Sequence, residues 1–232
     1  MSTPQKPITI IGGMGPQASS RLYTMVMRKS TQHPGHAEGV FPHVILRSIA
    51  IEDFISDSSK QTKGKEILMQ AAAAAAKDAS CVVAIACNTA HLFAADVARV
   101  CGAPFASMID LVSSAVAAEA ITGVGLLASP TTIRTNLYAS ALSKRGVECL
   151  VPSPKDQRQL ESIIRAVLAE EATPQQAGQL QTIAQDLVHK GAQGIILGCT
   201  ELPLIFPKDS LPCPIFDSLE IMSCHLVDKY YE

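Results

Sequence analysis

Two short segments of the 232-residue chain, Ala86-Cys87-Asn88-Thr89-Ala90-His91 and Leu197-Gly198-Cys199-Thr200-Glu201, repeat one local design: an apolar run ends in a cysteine, and a threonine and other polar residues follow. The runs before them, Ser80 to Ala86 (SCVVAIA) and Gln193 to Leu197 (QGIIL), have the length and branched content of buried strands. Each cysteine therefore falls where a strand gives way to a loop or helix. Upstream of each lies another strand with a glycine- or hydroxyl-rich end, Ile8 to Gly15 (ITIIGGMG) and Gly123 to Thr132 (GVGLLASPTT). Gly12 precedes Cys87 by 75 positions and Leu127 precedes Cys199 by 72, so the pattern reads as a duplicated α/β unit in which each copy offers one turn and one thiol.

Buried strands alternating with helices predict parallel sheets with right-handed crossovers, and ligands bind at the carboxyl edge of such sheets. The expected architecture is α/β, with two pseudo-symmetric lobes, each a parallel sheet flanked by helices, and an active site in the cleft between them. Lobe 1 is expected over 1–105, completed by a C-terminal helix at 216–232, and lobe 2 over 106–215. In the first lobe Pro16 starts a helix that runs to Ser30, His43 to Ile51 forms a strand, Glu66 to Lys77 is an Ala-rich helix, and helix follows Cys87 to about Val100. In the second, helices are expected from Thr131 to Arg145, Gln157 to Ala169 and Pro174 to Lys190, with a strand at Val147 to Val151.

A net charge of −2 leaves no electrostatic footprint for nucleic acid or an acidic membrane, and no apolar run approaches the length of a membrane span. A small-molecule partner is the expectation. The seven cysteines are odd in number and contain no Cys-x-x-Cys pair, and the first residues lead straight into a strand, so a reduced, cytoplasmic setting is expected.

Gly13-Met14-Gly15-Pro16-Gln17-Ala18 satisfies a relaxed dinucleotide fingerprint, but no acidic residue stands at the end of the following strand, and Glu52 comes too late. His33, His36 and His43 lie in a Pro/Gly-containing stretch without the spacing of a metal site, so no metal is expected. Thr131 and Thr132 are readable either as the N-cap of a helix or as carboxylate-binding hydroxyls.

The motifs Gly12-Gly13-Met14-Gly15-Pro16, Cys87-Asn88-Thr89-Ala90-His91 and Gly198-Cys199-Thr200-Glu201, in this order and spacing, resemble those of the aspartate/glutamate racemase family. The resemblance implies a cofactor-independent amino-acid racemase of two α/β lobes with one catalytic cysteine in each, and a homodimer. It makes Cys87 and Cys199 the acid/base pair and Met14, Asn88, Thr89, Thr131, Thr132 and Thr200 the substrate-cradle positions. Glu201, His91 and Arg47 are accessory candidates: His91 to set the protonation of Cys87, Glu201 to orient the substrate ammonium or assist Cys199. Aspartate-specific members hold the side-chain carboxylate with a basic residue after the second strand and another in a second-lobe helix. At these places the chain offers Arg47 and Lys60, and Arg158 and Arg165, without an unambiguous match.

Racemisation needs a proton removed from one face of the α-carbon and another delivered to the opposite face. A free thiol titrates near about 8.5, so modest stabilisation of the thiolate makes a usable base. The expected substrate is aspartate or glutamate. Hydantoin racemisation, maleate-type cis–trans isomerisation and non-catalytic amino-acid binding are the alternatives that these residues also permit.

Overall fold

The computed structural model describes residues 5–52, 60–207 and 211–232. Its contacts divide the chain into two compact units, Met1–Met108 with Leu219–Glu232, and Ile109–Ser218. Each is built on a four-stranded, wholly parallel sheet. In the first, β1 (Ile8–Gly12), β2 (Val44–Ser48), β3 (Val82–Ile85) and β4 (Phe105–Ala106) lie in the order β2-β1-β3-β4. In the second, β5 (Gly123–Ala128), β6 (Glu148–Leu150), β7 (Ile195–Gly198) and β8 (Ile215–Asp217) lie in the order β6-β5-β7-β8. The two units thus share one strand order, and in both the strand leading into a cysteine pairs with the strand leading into a Gly- or hydroxyl-rich turn.

Burial explains which strands are continuous apolar runs. Every residue of β1, β3, β5 and β7 is buried, whereas the edge strand β2 is half-exposed. Helices cover the sheets and begin where the sequence supplies the chemistry. Pro16 occupies the first turn of α1 (Pro16–Ser30). Ser129, Ser153 and Thr173 cap α5 (Pro130–Arg134), α7 (Pro154–Leu168) and α8 (Pro174–His189), each with a proline directly after the cap. In the first unit α2 (Gln61–Ala75) buries Leu68, Ala71, Ala72 and Ala75, and α3 (Ala94–Val100) buries Val97; these join Ile11, Val83 and Ile85 in one core. The small alanines let α2 approach the sheet closely. In the second unit Leu160, Ile163 and Ile164 of α7 and Leu180, Ile183 and Leu187 of α8 pack on Leu127, Ile195 and Leu197.

Several boundaries differ from the sequence expectation. The second strand contracts to Val44–Ser48, and α2 begins at Gln61 and gives way to a 3-10 turn over Ala76–Asp78. After Cys87 a 3-10 turn, Thr89–Phe93, precedes α3. The helix expected over Thr131 to Arg145 is broken into α5 and α6 (Leu137–Ser143) by Asn136 at φ 53, a left-handed conformation that asparagine tolerates better than most residues. Strand β8 was hidden by the surrounding prolines. It leads without a loop into α9 (Ser218–Tyr231), preceded in chain order by α4 (Met108–Ala118) at the entry to the second unit. Among the described residues no helix is long and apolar enough to cross a membrane.

The turn after β1 has almost no room. Gly13 has φ +98, and a Cβ placed there would lie 2.2 Å from the backbone oxygen of Ile49. Gly39 shares a positive φ, +77, but has no atom within 4 Å of such a Cβ. Gly13→Ala is therefore expected to lower unfolding free energy by about 3 kcal/mol, combining dihedral strain and overpacking, and Gly39→Ala by about 1 kcal/mol. Urea denaturation of the two variants beside the wild type checks both values.

Candidate active site

At the carboxyl edge of the first sheet, the ends of three strands are locked level by backbone bonds. Ile49 N–H donates to Gly12 O at 3.0 Å and Ala86 N–H to Ile11 O at 2.9 Å. The turn after β1 is tied internally by Ser19, whose hydroxyl accepts from Gly13 N–H and donates to Gly15 O, each at 3.1 Å. Met14 and Cys87 are both buried and belong to one core cluster with Ile11, Ile85 and Ala90. Cys87, 4% exposed, is followed by the buried Asn88 and Thr89.

His91 is bonded to the backbone through both ring nitrogens. Its Nε2 accepts from Met108 N–H at 3.0 Å, which leaves Nδ1 to carry the ring proton and donate to Cys87 O at 2.8 Å. Both ring nitrogens are thereby used, and the imidazole is a buckle that fixes the Cys87 loop against the start of α4.

The second unit repeats the edge with different fastenings. Ala128 lies level with Gly198 on adjacent strands, so the turn after β5 and Cys199 emerge side by side. The N-cap of α5 is Ser129, not Thr131 or Thr132: its Oγ accepts from Thr132 N–H at 3.2 Å and lies 3.0 Å from Thr132 Oγ1. Thr131 and Thr132 are fully buried. Ser218 at the head of α9 donates to Leu197 O at 3.1 Å and clamps the strand before Cys199.

Cys199, 6% exposed, donates its Sγ–H to Glu201 Oε2 at 3.0 Å, and Thr200 Oγ1 donates to the same oxygen at 3.0 Å. Glu201 is 2% exposed, and its Oε1 is buried without a hydrogen-bond partner. Burial pushes the Glu201 carboxyl above its ordinary range, opposed by the donors on Oε2. Tyr138, also fully buried and in electrostatic contact with Cys199, is pushed up by burial and is neutral.

Of the basic candidates, Arg47 makes a two-pronged ion pair with Asp78, its Nε donating at 2.9 Å and its Nη2 to the other carboxylate oxygen; Thr9 Oγ1 donates to Asp78 at 3.0 Å. Lys60 and Lys63 are both drawn to Glu52, and Arg165 pairs with Glu161 on α7. Two side chains escaped the sequence reading. Arg134 donates to Thr131 Oγ1 at 3.1 Å, and Gln157 Nε2 donates to Ala128 O at 3.0 Å, tying the first turn of α7 to the end of β5. The three-residue spacing from Thr131 to Arg134 was a readable helical signal. Gln157 offered none. His33 stacks on Tyr231, ring centroids 4.5 Å apart, and His36 Nδ1 lies 3.3 Å from Tyr231 Oη; among the described residues no group of three His, Cys, Asp or Glu is placed to hold a metal ion.

The sequence of residues 11–223 matches the family model described as Asp/Glu/Hydantoin racemase. An aspartate racemase homologue from Pyrococcus horikoshii OT3 has a solved structure that superposes with a TM-score of 0.82 at 30% identity, covering 98% of this chain and 100% of that one. The broad specificity amino-acid racemase RacX of Bacillus subtilis (strain 168) is 22% identical over 224 residues, 96% of this chain and 97% of its own. Picrophilus torridus aspartate racemase has the same fold, with a TM-score of 0.74 at 21% identity over 97% of this chain and 94% of that one.

Asp78 provides a test of the Arg47 assignment. The Arg47 guanidinium, with help from Thr9, holds the Asp78 carboxyl below the usual carboxylate range against partial burial. A carboxyl lowered on folding contributes stability above its unfolded value, about 3.9, and that contribution disappears as pH falls through the folded value. Asp78→Asn is expected to cost about 1–3 kcal/mol at neutral pH. The gap between variant and wild type should close as the pH of urea denaturation is taken from about 5 to below 3.

Proposed function

The chain belongs to the Asp/Glu/Hydantoin racemase family and is an isomerase, and from this premise we propose that it interconverts the L and D forms of an amino acid by two-base proton transfer between Cys87 and Cys199. What carries the reading is the recurrence of one arrangement in two units: the same strand order, with a buried cysteine within two residues of the end of the strand that pairs with the turn-bearing strand. One thiolate removes the α-proton, and the other group, as thiol, protonates the opposite face. Alternation of the two roles returns the enzyme to work on the other enantiomer.

The α-proton is very weakly acidic, so charge developing on the substrate carboxylate must meet preorganised donors. In this proposal Asn88, Thr89, Thr131, Thr132 and Thr200, with the turn at Met14, cradle the substrate, and His91 holds the Cys87 loop still. No cofactor is needed for this chemistry. The enzyme is expected in the cytoplasm and as a homodimer, the latter from family resemblance.

The side chain of the substrate is proposed to be acidic, aspartate or glutamate, as in the relatives named for aspartate. A second reading, a substrate without a side-chain carboxylate, is favoured by one observation: Arg47 is held by Asp78, and Lys60 and Lys63 are held by Glu52.

Incubation of the purified protein with single-enantiomer amino acids in D2O, followed by chiral chromatography and mass spectrometry, decides the matter. Inversion with deuterium at the α-carbon is expected, with aspartate or glutamate as substrate; inversion confined to neutral or basic amino acids selects the second reading, and no inversion or exchange across the panel overturns the proposal. Cys87→Ser and Cys199→Ser should each lower racemisation by about a hundredfold or more. Wild-type turnover in either variant would remove the two-base mechanism.

A further inference from the structure

On the premise that the carboxyl edge of the second sheet serves amino-acid racemisation, we infer that Gln157 is a substrate-binding residue whose side-chain oxygen accepts a hydrogen bond from the α-ammonium group of the amino acid.

The sequence fixes where this side chain can go. Ser153 caps α7: its Oγ accepts from Asp156 N–H at 3.2 Å, and its carbonyl accepts from Gln157 N–H at 2.8 Å. Gln157 therefore stands in the first turn of a helix whose start is set, and helical side chains lean back toward the N-terminal end. From there Nε2 donates to Ala128 O at 3.0 Å. Ala128 is the last residue of β5, directly before the Ser129 cap of α5, and lies level with Gly198, the residue before Cys199. The amide is thus carried to the strand end from which the turn with Ser129, Thr131 and Thr132 departs.

That bond uses only half of the amide. Oε1 is buried and, among the described residues, receives no hydrogen bond. Exchanging the nitrogen and oxygen brings no relief, because two acceptors would then face each other at Ala128 O. A buried carbonyl oxygen without a donor is a standing cost, which a donor brought by a ligand removes.

The chemistry of that donor is narrow. At its α-carbon a zwitterionic amino acid offers a carboxylate, which only accepts, and an ammonium, which only donates and has three hydrogens to give. Oε1 therefore matches the ammonium and not the carboxylate. Glu201 Oε1 is also buried without a partner, and the ammonium has hydrogens enough for both. The neutrality of the Gln157 amide suits the place, since a further carboxylate there would oppose formation of the Cys199 thiolate. Burial of Oε1 is no obstacle particular to Gln157: Cys199, Thr131, Thr132 and Thr200 are buried too, and whatever admits substrate to them admits it to this oxygen.

The test separates the ammonium from the rest of the substrate. Wild type, Gln157→Met and Gln157→Lys of the full chain are titrated calorimetrically with L-aspartate and L-glutamate, and with succinate and glutarate, the same skeletons with hydrogen in place of the amino group. Gln157→Met removes both amide functions, whereas Gln157→Lys keeps a donor for Ala128 O and removes only the acceptor. Both variants are expected to bind the amino acids about tenfold more weakly or worse, as befits the loss of a hydrogen bond to a charged group, and to bind the two diacids no more weakly than wild type does. Equal losses for amino acids and diacids identify a residue that only supports the turn and overturn the inference, as does undiminished amino-acid binding in either variant. Failure of the activity reads differently: an ammonium-selective loss in a protein that racemises nothing overturns the racemase and leaves the contact standing, and equal losses in an active racemase do the reverse. Binding of none of the four compounds overturns the acidic substrate and the role of Gln157 together.

Discussion

The parallel pairing of β3 on β1 and of β7 on β5 fixes where everything else in each unit can stand. These strands are buried on both faces, so their backbone groups have no water to fall back on and must pair along the full ladder. Register is then not adjustable by one residue without turning each side chain to the other face of the sheet. With Ile11 level with Ile85, and Ala128 level with Gly198, the cysteines that follow are carried to the carboxyl edge beside the turns after β1 and β5. The two cysteines owe their positions to apolar burial some residues earlier.

On this shared frame the two edges are finished differently. The first is held through the backbone: His91 bridges Cys87 O and Met108 N–H, and Ser19 closes the turn around Gly13. The second has Gln157 on the carbonyl of Ala128 and, in addition, a side-chain pair, Glu201 on the sulfur of Cys199. Duplication of the strands has not duplicated the electrostatics, and a neutral buckle stands behind one thiol where an acid stands beside the other.

The strands other than β8, the strand-end places of both cysteines, and α1, α8 and α9 were legible because they rest on local signals: unbroken branched runs, prolines at helix starts, helical spacing. What was not legible depended on partners distant in the chain. Arg47 resembled a substrate anchor until Asp78, 31 residues away, was seen to hold it, and Gln157 reaches Ala128 across 29 residues. Of the two readings of Thr131 and Thr132, the N-cap one fell two or three positions late, because Ser129, Thr131 and Thr132 are all competent caps and only the backbone shows which oxygen meets Thr132 N–H. The break at Asn136 was hidden for a similar reason, since the flanking residues keep good helical character.

The last helix has a consequence for how the chain is made. All four strands of the second unit lie in one uninterrupted stretch, Ile109–Ser218, whereas the first unit is completed only by Leu219–Glu232, which bring Tyr230 to His43 and Glu220 to Lys29. During synthesis the unit that starts first therefore waits for α9 to leave the ribosome, while the unit inserted within it can close earlier. The order of translation and the order of completion are reversed.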